Sequence, residues 1–200
     1  MIYKDYVHTK DINLNLDVMA KSSMELYNLV LDKFGDGRVD YGGQSTMTTR
    51  LFSNYNVLLY PFPGMHELYE EIKSFFYDTH KYHNGDPSEK FYIQCWINVY
   101  RKGDFIDWHG HWSSECNSYH GFYCVQTGEE SGTLYRIPNV DGEVYIPSKP
   151  NRLVISKSDN DLHRSTEWLD EKNPRITIAF DIVPRQYVDP YQWLNHWVPI

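Results

Sequence analysis

"FYIQCWINVY", residues 91–100, decides the fold class. Phe91, Ile93, Cys95, Ile97 and Val99 alternate with Tyr92, Gln94, Trp96, Asn98 and Tyr100. Successive side chains of a strand point to opposite faces, so this stretch predicts a strand with one face in a core and the other polar and aromatic. The same period of two continues downstream. Candidate strands fall at 105–111, 119–127, 132–137, 143–146, 151–157, 162–168 and 175–183, separated by turns such as "TGEESG", "NVDGE" and "DEKNP". Many short strands in close succession read as a β-sandwich or barrel.

Upstream of residue 90 the period is helical. In "GMHELYEEIKSFFYDTHKYH" (64–83), Met65, Leu68, Tyr69, Ile72, Phe75, Phe76 and Thr79 share one face, while Glu70, Glu71, Lys73 and Asp78 lie mostly off it. This predicts a helix packed on the sheet. "SSMELYNLVLDKF" (22–34) places Leu26, Leu29, Val30 and Phe34 at helical spacing behind a serine cap and stops before Gly35. "LDKFGDGRVDYGGQSTMT" (31–48) reads as loop, and residues 1–60 include a candidate flexible arm. No repeat or low-complexity tract interrupts the chain. The expected organisation is a single domain over 1–200, with a helical and irregular part at 1–89, a β core at 90–185 and an aromatic tail at 186–200 that covers the outside of the barrel.

Composition bounds the function. The 200 residues are 41% hydrophobic, enough for one full core. No apolar run reaches the ~18 residues of a membrane span, and "MIYKDYVHTK" lacks the basic start and apolar stretch of a signal peptide. A soluble, cytoplasmic chain is expected. Cys95, Cys116 and Cys124 have no Cys-x-x-Cys spacing and read as free thiols. The net charge of -8, with scattered basic residues, offers no footprint for nucleic acid. Seventeen tyrosines and six tryptophans suit ligand pockets and interfaces as well as cores.

The chemistry concentrates in "GDFIDWHGHWSSE" (103–115). On a strand, His109 and His111 point to the same face and offer two ligands to one metal ion. A third must come from elsewhere in the chain. Among His120, His163 and His196, the strand, turn and strand entry of "NRLVISKSDNDLHRS" (151–165) favour His163. His120 follows His111 too closely in sequence, and His196 sits in the tryptophan-rich tail. Asp107 is expected to orient a ligand ring or cap a turn. In "RITIAFDIV" (175–183), Ile176, Ile178, Phe180 and Ile182 alternate with Arg175, Thr177, Ala179 and Asp181. An Arg and a Thr side by side suit a carboxylate, since guanidinium pairs bidentately and a hydroxyl adds a hydrogen bond. Tyr100 and Tyr123 are expected on inward faces, where their hydroxyls complete the anion's shell.

The runs "WINVYRKGDFIDWHGHW", "SYHGFYCVQT", "ESGTLYRIP", "NRLVISKSDNDLHRS" and "PRITIAFDIV" resemble the 2-oxoglutarate- and Fe(II)-dependent oxygenases, specifically phage and bacterial hydroxylases related to prolyl hydroxylases. The resemblance spans about residues 91–184. It implies a double-stranded β-helix (jelly roll) buttressed by helices, with iron(II), 2-oxoglutarate as cosubstrate and O2. It further implies His109 and His163 as first and distal iron ligands, Arg175 as the anchor of the far carboxylate, and Thr177, Tyr123 and Tyr100 as its supports. The implied reaction hydroxylates a C–H bond of a protein, a peptide (prolyl included) or a small metabolite, in a host's cytoplasm if the chain is phage-encoded.

The middle ligand position holds His111 where most of that superfamily has a carboxylate. Either three histidines bind the metal, or His111 stands behind it and Asp107 or Glu115 supplies an oxygen. A cupin-type isomerase or cosubstrate-free dioxygenase using His109, His111, Glu115 and His163 is the competing reading, although "SDNDLH" lacks the Pro and Gly of the second cupin motif. A jelly-roll module that binds sugars or peptides without catalysis is a third.

Overall fold

The computed structural model describes residues 5–34, 38–41, 44–48, 56–128, 130–188 and 196–200. Along the chain run β1 (Val7–Asp11), α1 (Leu16–Phe34), β2 (Arg38–Tyr41), β3 (Gln44–Thr48), α2 (Met65–Tyr82), β4 (Phe91–Tyr100), β5 (Tyr119–Gln126), β6 (Gly132–Arg136), β7 (Val144–Pro147), β8 (Arg152–Lys157), β9 (Leu162–Ser165), β10 (Arg175–Pro184) and β11 (Val198–Pro199). All pairings are antiparallel. The larger sheet has the order β1-β8-β5-β10-β4-β3-β2, with β11 also on β4, and the smaller has β7-β6-β9. Among the described residues, two α-helices and two antiparallel sheets make a mainly β jelly roll.

The register of β10 against β4 sorts the side chains. Arg175 lies opposite Tyr100, Thr177 opposite Asn98, Ala179 opposite Trp96 and Asp181 opposite Gln94. Directly opposed residues share a face, so this polar and aromatic set looks inward. The intervening Ile176, Ile178, Phe180 and Ile182, with Ile93, Cys95, Ile97 and Val99, join Leu26 and Tyr27 of α1 and Leu68, Ile72 and Phe76 of α2 in the main core. A second cluster, Val7, Val154, Tyr135 and Ile146, ties the two sheets together.

Most strand expectations hold within a residue or two; four others are corrected. Residues 105–111 form no regular strand, only a bridge at His109. The expected strand at 162–168 stops at Ser165. Part of the 31–48 segment read as loop pairs as a β2–β3 hairpin, and β1 takes the sheet edge from the expected arm. Finally, α1 begins before the serines: Asn15 Oδ1 accepts the Val18 N–H at 3.2 Å, while Ser22 and Ser23 are buried mid-helix. Leu29 is correspondingly exposed. On α2 the expected face is buried apart from Tyr69, whose hydroxyl donates to the Pro199 carbonyl at 2.8 Å, and His80 joins it. Of the tail, 189–195 lie outside the described residues; Val198 and Pro199 pair with β4. Among the described residues no helix is long and apolar enough to cross a membrane.

Two glycines permit close approaches. Gly64, with φ of 87°, precedes α2, and a Cβ there would sit 2.4 Å from Met19 Sδ. At Gly121 in β5 a Cβ would sit 2.1 Å from the Val154 carbonyl and 2.6 Å from Phe180 Cζ. Gly121→Ala should therefore destabilise the fold by about 1–3 kcal/mol or more, read as a lower thermal midpoint. A pH effect arises where β1 meets the end of α2. His8 Nε2 and His83 Nε2 are 3.1 Å apart, and burial, then the fields of His8 and Lys157, pull His83 down to about 4. In this window the unfolded chain takes up a proton that the native one refuses, so stability is lost as pH falls from about 6.5 toward 4. His83→Gln should flatten that slope in melts recorded across the window.

Candidate metal centre

The segment 103–111 clings to the open edge of the smaller sheet through an interrupted ladder. His109 and His163 exchange backbone hydrogen bonds, the His109 N–H donating at 3.1 Å and the His163 N–H at 2.9 Å. Further along, the Ser165 N–H donates to the Ile106 carbonyl at 3.0 Å, while the Ile106 N–H donates to Ser165 Oγ at 2.8 Å instead of to a carbonyl, so one side of the ladder is broken. This bridge sets the His109 and His163 rings 4.3 Å apart between centroids. His111, two residues on, has its ring 5.1 Å from that of His163 and nearly parallel to it. One ligand nitrogen from each of His109, His111 and His163 lies within 4.8 Å of the others.

Two of the three rings, those of His109 and His111, are oriented from behind. His109 Nδ1–H donates to the Asp107 carbonyl at 2.7 Å, which leaves Nε2 as its free lone pair. The Asp107 carboxylate is turned away and accepts the Trp108 N–H at 2.8 Å, so the residue both orients a ring and caps a turn. His111 Nδ1–H donates to Asp181 Oδ1 at 2.5 Å; this carboxylate is 1% exposed. Burial, followed by the charge of His111, lowers the pKa of His109 to about 4. Burial and the neighbouring histidines hold His163 well below its ordinary value. Both are neutral at neutral pH, the form that binds metal.

Arg175 reaches the same cavity and is 2% exposed, yet its Nε and Nη1 have no hydrogen-bond partner. Its guanidinium carbon is 5.0 Å from the centre of the Tyr100 ring, a cation–π contact. Tyr100 and Thr177 line the cavity beside it, and burial raises the Tyr100 pKa.

The structure does not bring every expected residue here. Tyr123 lies opposite Ile178 and Leu153, on the helix side of the sheet, and donates to Asn151 Oδ1 at 2.6 Å. "YHGFYCVQ" has large side chains on both faces, so the phase of β5 cannot be read from hydropathy. The cavity face instead carries His120, set aside above for its closeness to His111, with its ring 4.5 Å from that of His111. His120 is also grouped with Asp161 and His163. Glu115 sits exposed on the short turn Ser114–Cys116 and belongs to neither group of potential ligands; His196 packs beside Trp197. Sequence reasoning assigned no role to Asp181 or Asp161. The signal for Asp181 was its place on the face of Arg175 and Thr177.

No family model matches the sequence, and no curated protein matches it. The fold is similar to those of solved 2OG-Fe(II) oxygenases. A Pseudomonas putida prolyl-4-hydroxylase aligns over 90% of this chain and 92% of its own, with a TM-score of 0.60 and 9% identity. The non-heme alpha ketoglutarate dependent epimerase SnoN from nogalamycin biosynthesis aligns over 95% and 85%, with a TM-score of 0.59 and 8% identity. Viral collagen prolyl hydroxylase from Paramecium Bursaria Chlorella virus-1, solved with 2OG, aligns over 89% and 96%, with a TM-score of 0.51 and 15% identity. At such identities the likeness is one of fold.

Because Asp181 fixes the tautomer and direction of His111, Asp181→Asn should weaken metal binding by about 10- to 100-fold with the fold intact. Cobalt(II) titration of the metal-free protein measures it, with circular dichroism as the control.

Proposed function

We propose that this chain is an Fe(II)- and 2-oxoglutarate-dependent dioxygenase that hydroxylates a C–H bond of a protein, peptide or small-molecule substrate and releases succinate and CO2. The observation that carries the reading is the buried Arg175, unpartnered at Nε and Nη1, in one cavity with His109, His111 and His163. A buried cation without a counter-charge costs several kcal/mol, which an anionic ligand offsets.

The residues fit both groups. Two neutral imidazoles, His109 and His163, and a third, His111, tied to a carboxylate make a nitrogen donor set suited to iron. Arg175 and Thr177 suit a carboxylate. Iron(II) held by His109, His111 and His163 supplies the oxidative chemistry that couples 2-oxoglutarate decarboxylation by O2 to oxygen insertion into the substrate. Arg175 binds the far carboxylate of 2-oxoglutarate, and Thr177 adds a hydroxyl donor. Tyr100 braces the guanidinium through its ring face. Asp181 supplies, one bond removed, the negative charge that an all-histidine ligand set lacks. Trp96, stacked near His111 at 6.3 Å between centroids, walls the cavity against bulk water. The cupin alternative needs Glu115 at the metal, and its exposed turn does not favour that.

Purified protein loaded with iron should release succinate only when 2-oxoglutarate and O2 are present. His163→Ala should abolish both iron retention and turnover. Arg175→Ala should retain iron and raise the KM for 2-oxoglutarate about 10- to 100-fold, corresponding to the ~1.5–3 kcal/mol of a charged hydrogen bond. Normal turnover in both variants would place the site elsewhere.

A further inference from the structure

Beside the three histidines lies a second set of donors that the oxygenase reading leaves unused. His120, Asp161 and His163 are all buried, at 1%, 5% and 8% exposure, and each offers a ligand atom within 4.8 Å of the other two. The outer atom of each new ligand is already engaged. His120 Nδ1 pairs with Ser158 Oγ at 3.2 Å, and Asp161 Oδ1 faces the Asp159 N–H at 3.5 Å. Ser158 Oγ can accept from Nδ1–H, and that tautomer leaves the lone pair of His120 on Nε2.

What remains is three buried atoms without a hydrogen-bond partner: His120 Nε2, Asp161 Oδ2 and His163 Nδ1. His120 Nε2 and Asp161 Oδ2 are 3.2 Å apart, close enough for an ion pair, but they are not aligned as a hydrogen bond. Two ligand atoms on one ion, with bonds of about 2.0–2.2 Å at right to tetrahedral angles, stand about 2.8–3.6 Å apart. The result is a buried carboxyl oxygen beside two buried imidazole nitrogens, and desolvated polar atoms of this kind are rarely left without a partner.

We propose that His120, Asp161 and His163 hold a second divalent transition-metal ion next to the first, with His163 shared between the two. Two imidazoles and one carboxylate form a mixed nitrogen and oxygen set suited to iron(II), cobalt(II) or zinc(II). His163 can serve both ions only through its two ring nitrogens, so binding of the second ion releases the ring proton to solvent and leaves a bridging imidazolate. Ser158 and the Asp159 amide are the partners that orient the new ligands, as Asp107 and Asp181 orient the old. The inference shares His163 with the oxygenase reading and otherwise stands apart from it.

The test titrates the metal-free full-length protein with cobalt(II), follows visible absorption, and measures retained metal after desalting. The wild-type protein should retain two equivalents. Asp161→Asn and His120→Ala should retain one, and His109→Ala should also retain one, with a different spectrum. A wild-type stoichiometry of one overturns the second site on its own, as do two equivalents surviving in both Asp161→Asn and His120→Ala. A single wild-type equivalent that is lost in His109→Ala leaves the oxygenase reading standing while this inference fails. Two equivalents unaffected by His109→Ala would sink the first site. If His120→Ala fails to fold, the isosteric Asp161→Asn and the wild-type count decide.

Discussion

The register of β10 in the middle of the larger sheet is the constraint on which the rest depends. One residue of slip would turn Ile176, Ile178, Phe180 and Ile182 into the cavity and Arg175, Thr177 and Asp181 into the helix-packed core. Both faces punish the slip, because the apolar set would lose its contacts with α1 and α2 and the charges would be buried among hydrocarbon. The same alternation that stabilises the fold thereby positions the guanidinium and the carboxylate that address the cavity.

Charge balance is the second level. A site built from three neutral imidazoles carries no formal charge of its own, and a divalent ion placed there is stabilised by whatever anions surround it. Asp181 stands behind His111, and Asp161 stands beside His120. Arg175 brings the opposite sign to the other end of the cavity. The arrangement is a dipole inside a water-poor space: anions near the imidazoles to favour a cation, and a cation beyond them to favour an anion.

How much of this was legible in the sequence depends on how clearly each element separates its two faces. β4 and β10 alternate apolar with polar residues, so both their existence and their phase are readable, and Arg175, Thr177 and Tyr100 follow. β5 does not alternate, which is why Tyr123 was expected in the cavity and His120 outside it, the reverse of what the structure shows. His109, His111 and His163 were legible through spacing and strand order. Asp181 was legible only as a member of the face of Arg175 and Thr177, and Asp161 and Ser158 were not, because they meet the histidines through pairings between distant strands and loops that no local pattern encodes. The helix start at Asn15 was missed for a local reason: a polar cap and two buried serines compete for the same signal, and burial is invisible before folding.

The distribution of unpartnered atoms bears on what the fold is for. Asn98 Oδ1, His120 Nε2, Asp161 Oδ2, His163 Nδ1 and two nitrogens of Arg175 are all buried without hydrogen bonds, and all belong to residues in or beside one cavity. Each such atom costs about 1–3 kcal/mol, more when charged, a sum comparable with the whole net stability of a typical domain. A chain that folds despite such a concentration must gain it back from elsewhere, and the apolar face shared with α1 and α2 is the available source. The burden would fall on binding of the proposed ions and carboxylate, whose contacts would satisfy atoms such as His163 Nδ1 and the Arg175 nitrogens that the protein leaves open. Ligand binding and stability are then linked: the loaded state is the one in which this polar interior is complete.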